Sequence, residues 1–243
     1  MRNESTVSSS YLAQRSRESV APWWHTAVVM AWLALMSAVS HYQHGLPNAR
    51  VPGLSRQLSS YATVTAAEWS LIIVIWLALR QRGLRLGSLI GGRWDSAKSL
   101  FKDVGLAVAY LAIIAVPISW VGDKLGPSSK QTDVNLIPTT ALELGGWIVI
   151  SVTAGFCEEY FFRGYLTAQF AAWSRSRWFA ITAQAIFFGL CHAYYGIANM
   201  GAVTVLGLAL GLLAYWRKSL RPGMLAHGLV DSVGGVVAFF WGA

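Results

Sequence analysis

Three charged residues stand close together in an apolar stretch of this chain, Phe156 to Gly164, which reads FCEEYFFRG. On a helix, Glu159 and Arg163 lie four residues apart on one face, with the acid nearer the N-terminus, the order that favours an ion pair. Glu158 is rotated by about 100° from Glu159 and shares Arg163 less directly. The spacing therefore predicts a structural pair, Glu159 with Arg163, and a freer acid at Glu158.

Glu158 is a candidate for acid–base chemistry. A carboxyl group without a full counter-charge in a low-dielectric site can exchange a proton near neutral pH, as general acid–base catalysis requires. Two later segments carry histidines at helical spacing: Phe188 and His192 in AIFFGLCHAYY, and His227 and Asp231 in MLAHGLVDSVGG. Together with Glu158, the two histidines form a candidate site.

The composition indicates that these residues lie in a membrane. The 243 residues are 55% hydrophobic and 12% charged and include 12 Trp, which is too apolar for a water-soluble domain. About 20 apolar residues span a bilayer as a helix. Seven segments qualify: 22–41, 61–79, 103–121, 140–172, 178–194, 197–216 and 222–241. An ionisable side chain at the bilayer centre costs about 2.5–3.5 kcal/mol, so each one needs a partner or a function.

The basic residues predict the orientation of the chain. The net charge is +8, but Lys and Arg are scattered through the connections rather than gathered on one polar face, which argues against nucleic-acid binding. With a cytoplasmic N-terminus, 14 of the 19 Lys and Arg lie in inside segments and four in outside loops. We therefore predict an all-α polytopic transmembrane bundle of about seven helices with its N-terminus in the cytoplasm.

The same patterns divide the chain into a tail and one domain. The Ser-rich residues 1–21 lack apolar periodicity and are predicted to be a disordered cytoplasmic tail. Residues 22–243 are predicted to form a single transmembrane helical domain, with the catalytic core at 140–241. The first helix is expected to stay uncleaved, and an outer loop is expected at 127–138. Glu68 and Glu143, near the outer ends of their segments, are expected to be solvated.

Three motifs occur in order on successive apolar segments: EExxxR beginning at Glu158, FxxxH ending at His192, and HxxxD beginning at His227. This trio, within residues 140–241, resembles the CPBP intramembrane proteases, which include CAAX-processing endopeptidases and bacterial bacteriocin-processing and Abi relatives. The resemblance implies a glutamate-dependent peptide hydrolase. In it, Glu158 would activate water and His192 would position it. His227 with Asp231 would support the oxyanion, and one such donor is typically worth about 2.7–4 kcal/mol.

Asp231 departs from one common form of the family pattern, which has Asn at this position. An Asn amide can donate to an oxyanion, whereas an ionised Asp cannot. Asp231 is therefore protonated, or it orients His227 and stabilises the imidazolium form, as a carboxylate does for a catalytic histidine. We favour the second interpretation. A third is a site for zinc or another divalent metal formed by Glu158, His192, His227 and Asp231. We expect that no cofactor is required, with this metal site as the alternative.

The depths of the candidate residues do not match on simple helix arithmetic. Measured from the predicted cytoplasmic helix ends, Glu158 and His192 lie about 21 Å deep and His227 only about 8 Å. Either the fourth and fifth segments project into the cytoplasm, or tilts and kinks close the gap. The length of segment 140–172 favours projection, which places the site nearer the cytoplasmic face.

Two other functions fit the same residues. A non-catalytic membrane scaffold or immunity protein would keep them as a packed polar network. A proton-coupled transporter would use them as a relay, although relay groups spread through the membrane depth, whereas these converge on the last four helices. For the protease, the expected partners are membrane lipid and a peptide or membrane-protein substrate, in a bacterial or archaeal cytoplasmic membrane. The sequence identifies neither the substrate, nor whether it is prenylated, nor the oligomeric state.

Overall fold

A computed structural model of the chain describes residues 19–43, 53–125, 136–193 and 196–241, and within these ranges every regular element is a helix. In chain order the helices are α1 (Trp23–Gln43), α2 (Arg56–Gln81), α3 (Gly87–Ile90), α4 (Ala97–Tyr110, a π-helical turn at Leu111–Ala115, then Val116–Leu125), α5 (Ala141–Ser174), α6 (Arg177–Cys191), α7 (Ile197–Arg217) and α8 (Arg221–Trp241).

The all-α bundle predicted from hydropathy is confirmed. Five helices in the described part of the chain, α2, α4, α5, α7 and α8, are long and apolar enough to cross a membrane. The apolar part of α1, Trp23–Met36, and α6 are shorter. These seven helices correspond to the seven predicted segments, and the chain is an integral membrane protein. The four-residue α3 is an addition, because hydropathy does not detect so short a helix.

Polar caps determine where several helices begin. At the starts of α2, α4, α5 and α6, backbone N–H groups of the first turn donate to the side-chain hydroxyls of Ser55, Ser96, Thr140 and Ser176 respectively. Such a cap stabilises a helix by about 1 kcal/mol, because it satisfies a donor that has no partner within the helix.

The start of α5 corrects the prediction for Glu143. The hydroxyl of Thr140 accepts the Glu143 N–H at 3.2 Å. In return, the Glu143 carboxylate accepts the backbone N–H of Thr139 at 2.9 Å and that of Thr140 at 3.1 Å. This is a capping box. Glu143 is only 4% exposed, so the prediction that it is solvated is wrong. Backbone donors at the helix N-terminus, rather than water, stabilise its charge.

The core of the bundle surrounds the second half of α5, where Tyr160, Phe161, Tyr165 and Leu166 are fully enclosed. This part of α5 is also joined to the beginning of the described chain. The Gln169 side chain bonds both the N–H and the carbonyl of Ala21, at 3.1 and 2.9 Å. The folded structure therefore includes Ala21, which is buried together with Val20.

Other predictions concern segments that the structure covers only in part. Residues 1–18, most of the predicted tail, lie outside the described residues, as do 126–135, most of the predicted outer loop.

Candidate functional site

The stretch FCEEYFFRG coincides with a change in helical winding. α5 is α-helical over Ala141–Glu158, π-helical over Glu159–Leu166 and α-helical again to Ser174. All eight residues of the π-helical segment are buried. The Glu158 side chain, at the end of the first α-helical part, is 23% exposed, whereas that of Glu159 is fully enclosed. π-helical turns are frequent at functional sites, so the winding itself marks this region.

Glu159 and Arg163 lie in contact inside the bundle. Arg163 Nη1 is 2.9 Å from Glu159 Oε1, and both side chains are fully enclosed. Nη1 makes no hydrogen bond, so this contact with the carboxylate is an ion pair without one. Arg163 Nη2 donates to the Gly207 carbonyl of α7 at 3.3 Å. The guanidinium also lies 4.2 Å from the centroid of the Phe188 ring, within cation–π range.

His227 of α8 lies among three carboxylates. Its Nδ1 is 3.0 Å from Glu159 Oε1, the same oxygen that faces Arg163. Its Nε2 is 3.5 Å from Asp231 Oδ2 and 3.8 Å from Glu158 Oε2, longer than direct hydrogen bonds. The structure therefore joins the EExxxR and HxxxD motifs through one imidazole. It ties Glu159, which spacing assigned to Arg163 alone, to the histidine as well.

Two glycines allow α5 and α8 to approach so closely. A Cβ added at Gly155 would lie 2.6 Å from the backbone nitrogen of Gly228 and 2.7 Å from the carbonyl oxygen of Met224. Because no side chain separates the backbones here, the acids on α5 can reach the histidine on α8. One turn further along, the Trp147 indole donates to the Asp231 carbonyl at 2.7 Å and holds the same pair of helices together.

The apparent mismatch in depth is resolved by the length of α5. Glu159 lies beside Gly223, near the start of α8, where a Cβ would be 3.0 Å from Glu159 Oε2. The residues of α5 beyond Glu159 continue past that start, and Gly164 packs against Leu220 and Leu89. α5 therefore extends past the start of α8, as projection of this segment requires.

His192 ends α6 at the edge of this group. Its Nδ1 lies 2.8 Å from the Phe188 carbonyl oxygen. A carbonyl can only accept, so Nδ1 carries the proton and Nε2 is the acceptor of the neutral ring. Phe188 itself does more than mark the spacing, because its ring lies 4.8 Å from the His192 ring and 5.8 Å from that of His227.

The structure corrects the prediction for Glu68, a half-buried residue in the middle of α2. It was expected to be solvated at the outer end of α2, yet its Oε2 is buried, and the residue interacts electrostatically with Glu158, His227 and Asp231. The sequence did contain a sign of this role, because Glu68 is a charged residue inside an apolar segment. The signal was insufficient because helix spacing does not show which neighbouring helix a side chain faces.

The metal interpretation needs at least three ligands around one point. Among the described residues, no group of three His, Cys, Asp or Glu side chains could hold a metal ion. The arrangement of the carboxylates and histidines therefore does not match a zinc site, and no step of the proposed reaction is assigned to a metal.

Comparison with known proteins supports the same part of the chain. Residues 140–233 match the family described as type II CAAX prenyl endopeptidase Rce1-like, and this range contains all three motifs. No curated protein and no solved structure shows a significant match to the chain. The resemblance drawn from the motifs is confirmed over residues 140–233, the part of the chain that the family model matches.

Proposed function

We propose that this protein is an intramembrane endopeptidase in which Glu158 activates water. At the level of the family, the domain is that of an intramembrane CAAX protease. The observation that carries the residue-level proposal is the position of His227, which lies 3.8 Å from Glu158 and 3.0 Å from Glu159 although it belongs to a different helix. An acid and an imidazole that face one space can divide the proton transfer and charge stabilisation that peptide hydrolysis needs.

Glu158 suits the role of general base because it is the more accessible of the two adjacent acids. Its side chain is 23% exposed, and its buried Oε2 has no hydrogen-bond partner. It would take a proton from water while the water oxygen attacks the carbonyl carbon of the substrate. The same proton would then pass to the leaving amine nitrogen as the C–N bond breaks.

The two histidines would act on the water and on the oxyanion respectively. In His192, Nδ1 donates to the Phe188 carbonyl, so Nε2 can accept a hydrogen from the attacking water. In His227, the Glu159 carboxylate holds Nδ1 and supports positive charge on the ring. Nε2 is then directed towards the space where the oxyanion forms. Asp231, 3.5 Å from Nε2, would add to the stabilisation of the imidazolium form.

The family description suggests the substrate class. Type II CAAX prenyl endopeptidases are named for prenylated C-terminal CAAX sequences. We propose that this protein cleaves a membrane-associated peptide or protein of that kind in a bacterial or archaeal cytoplasmic membrane. The five apolar helices would be surrounded by membrane lipid.

Replacement of Glu158 by Gln tests the proposal. The purified protein in lipid nanodiscs would be incubated with an internally quenched peptide that ends in a farnesylated CAAX sequence, and with its unprenylated counterpart. We expect Glu158→Gln to abolish cleavage, because an amide cannot accept the proton, and to leave the melting temperature unchanged. Full activity in this variant would refute the assignment of Glu158 as the base.

Metal dependence is tested on the same preparation. We expect wild-type activity to survive exhaustive chelation, and elemental analysis to find no stoichiometric metal. Activity that is lost with the chelator and restored by one divalent ion would require a metal role for the carboxylates and histidines.

The scaffold remains the second candidate because the Glu159–Arg163 pair is completely enclosed, as in a structural polar network. A scaffold would cleave neither peptide. In that case the Glu158→Gln variant and the wild type would both be inactive towards the two peptides and would have the same melting temperature.

A further inference from the structure

Glu68 belongs to α2, outside the segment that matches the endopeptidase family. Two ring contacts define how α2 lies against α5. The Tyr61 and Trp147 rings meet edge to face at 5.8 Å, and the Trp69 and Phe156 rings stack at 5.7 Å. Residue numbers rise together in these pairs, so the two helices run side by side in the same direction. Glu68, which immediately precedes Trp69, therefore lies about level with Gly155, within one helical turn of Glu158 along α5.

The electrostatic partners of Glu68 are residues of the candidate site. Its carboxyl group interacts electrostatically with Glu158, His227 and Asp231. Glu68 Oε2 is buried and makes no hydrogen bond, and Glu158 Oε2 is in the same condition. Each of these two carboxyl groups, on neighbouring helices, thus has an enclosed oxygen whose hydrogen-bonding capacity is unused. A buried polar atom of this kind is costly unless a proton or a water joins it to a neighbour.

The site holds more carboxyl groups than cations: Glu68, Glu158, Glu159 and Asp231 share Arg163 and His227. Glu159 is paired with Arg163, and His227 lies beside Glu158 and Asp231. Among the ion pairs of the described residues, none includes Glu68. Two neighbouring carboxylates in a site of low dielectric cannot both ionise without a large repulsion, so one of them keeps a proton. Glu68, which has no cation of its own, is the group to keep it.

We propose that Glu68 is a positioning residue of the active site: its neutral carboxyl group donates a hydrogen bond, directly or through one water, to Glu158 and holds that carboxylate towards the reacting water. The proton stays on Glu68 throughout, so no bond to substrate is made or broken there. This inference rests on the proposed role of Glu158 as general base. It adds a contribution to the site from the part of the chain that the family match does not cover.

Cleavage of the farnesylated peptide by three variants tests the role. Glu68→Ala removes the donor, and we expect kcat to fall about tenfold or more with KM unchanged, the loss expected for one hydrogen bond to a charged group. Glu68→Gln keeps an N–H donor at the same position and should stay within about threefold of wild type. Glu143→Gln is the matched control, because it makes the same substitution at a glutamate outside the site and leaves the capping box able to form.

Two kinetic outcomes would overturn the proposal. If Glu68→Ala matched the wild type, Glu158 would not need this partner. If Glu68→Gln were as inactive as Glu68→Ala, the carboxylic acid itself rather than a donated hydrogen bond would be required.

An infrared measurement on the wild type tests the proposal without any substrate. A protonated carboxyl group has a C=O stretch distinct from that of a carboxylate. We expect a component of this band that disappears in Glu68→Gln, shifts in Glu158→Gln because its acceptor has changed, and is unaltered in Glu143→Gln. A spectrum that Glu68→Gln leaves unchanged would refute the proposal. If this signature were present but neither peptide were cleaved, the proposed function would fail while the assignment of Glu68 as the neutral donor stood.

Discussion

At the residue scale, Glu159 holds two groups together rather than one. Its Oε1 faces Arg163 at 2.9 Å and His227 Nδ1 at 3.0 Å, in a site where the acid and the arginine are fully enclosed. Phe188 covers the guanidinium on another side, 4.2 Å away. A charge in such a position is stable only while its partners remain, because water cannot replace them. Glu158, one residue earlier and partly exposed, is under no such constraint.

Removal of either partner should therefore affect stability before catalysis. We expect Glu159→Ala and Arg163→Ala each to destabilise the protein by roughly 3–5 kcal/mol, because each leaves a buried charge unpaired. The measurement is thermal unfolding in lipid nanodiscs, with the partly exposed Glu158→Gln as the control that keeps wild-type stability. A Glu159→Ala variant that folds with wild-type stability but is inactive would instead exchange the roles proposed for the two acids.

At the scale of helices, the site depends on how closely α5 and α8 approach. The contact between Gly155 and Gly228 leaves no room for a side chain, and the π-helical segment begins only four residues later, at Glu159. Gly155 does not have a positive φ, so its backbone conformation does not require glycine. Glycine is needed here because the packing leaves no room for a side chain. The two helices bring the acids and His227 together only at this separation.

Gly155→Ala should push the two helices apart. The added methyl group would lie 2.6–2.7 Å from backbone atoms of α8, which cannot rotate away as a side chain can. We expect a loss of roughly 1–3 kcal/mol in stability from overpacking, together with a fall in kcat because Glu158 and His227 separate. Gly145→Ala is the matched control on the same helix. Nothing lies within 4 Å of its added Cβ, so stability should be unchanged or slightly higher. Equal effects of the two substitutions would contradict this account of the packing.

At the scale of the whole molecule, the two ends of the bundle agree with the predicted sidedness. Connections predicted on the same side lie together. At one end, Arg217 contacts the enclosed Asp103 at 2.9 Å; at the other, the Tyr61 hydroxyl donates to the Leu136 carbonyl. The first of these ends carries most of the described basic residues, including Arg80, Arg82, Arg85, Arg93, Lys98, Lys102, Arg175, Arg177, Lys218 and Arg221. The orientation in the membrane stays a prediction from the positive-inside rule.

Cysteine labelling in right-side-out spheroplasts measures that orientation. In a background with Cys157→Ala and Cys191→Ala, we expect Leu54→Cys to react with a membrane-impermeant maleimide in intact cells. Lys98→Cys should react only after permeabilisation, because it lies at the basic, cytoplasmic end. The opposite pattern would reverse the orientation. Labelling of both positions from one side would contradict the assignment of the two ends.

The sequence predicts those features of the fold and the site that depend on residues close together along the chain. Hydropathy over about 20 residues was enough to predict seven apolar helices, and spacing within one helix was enough to pair Glu159 with Arg163. The ordered motifs were enough to predict the resemblance that the family match over residues 140–233 confirms. These properties are local, because each depends on residues within a few turns of one another or on a pattern of types along the chain.

The contacts that make the site were decided only by the tertiary structure. His227 meets Glu159 across 68 residues of sequence, and Glu68 interacts with Glu158 from a helix that carries no motif. The π-helical turn at Glu159, too, differs from the regular helix that the spacing suggested. Local periodicity shows that a helix has an apolar face but not which neighbour covers it or at what height. Those choices depend on close packing between helices, here on the glycine contact of α5 with α8, and packing is a property of the assembled bundle.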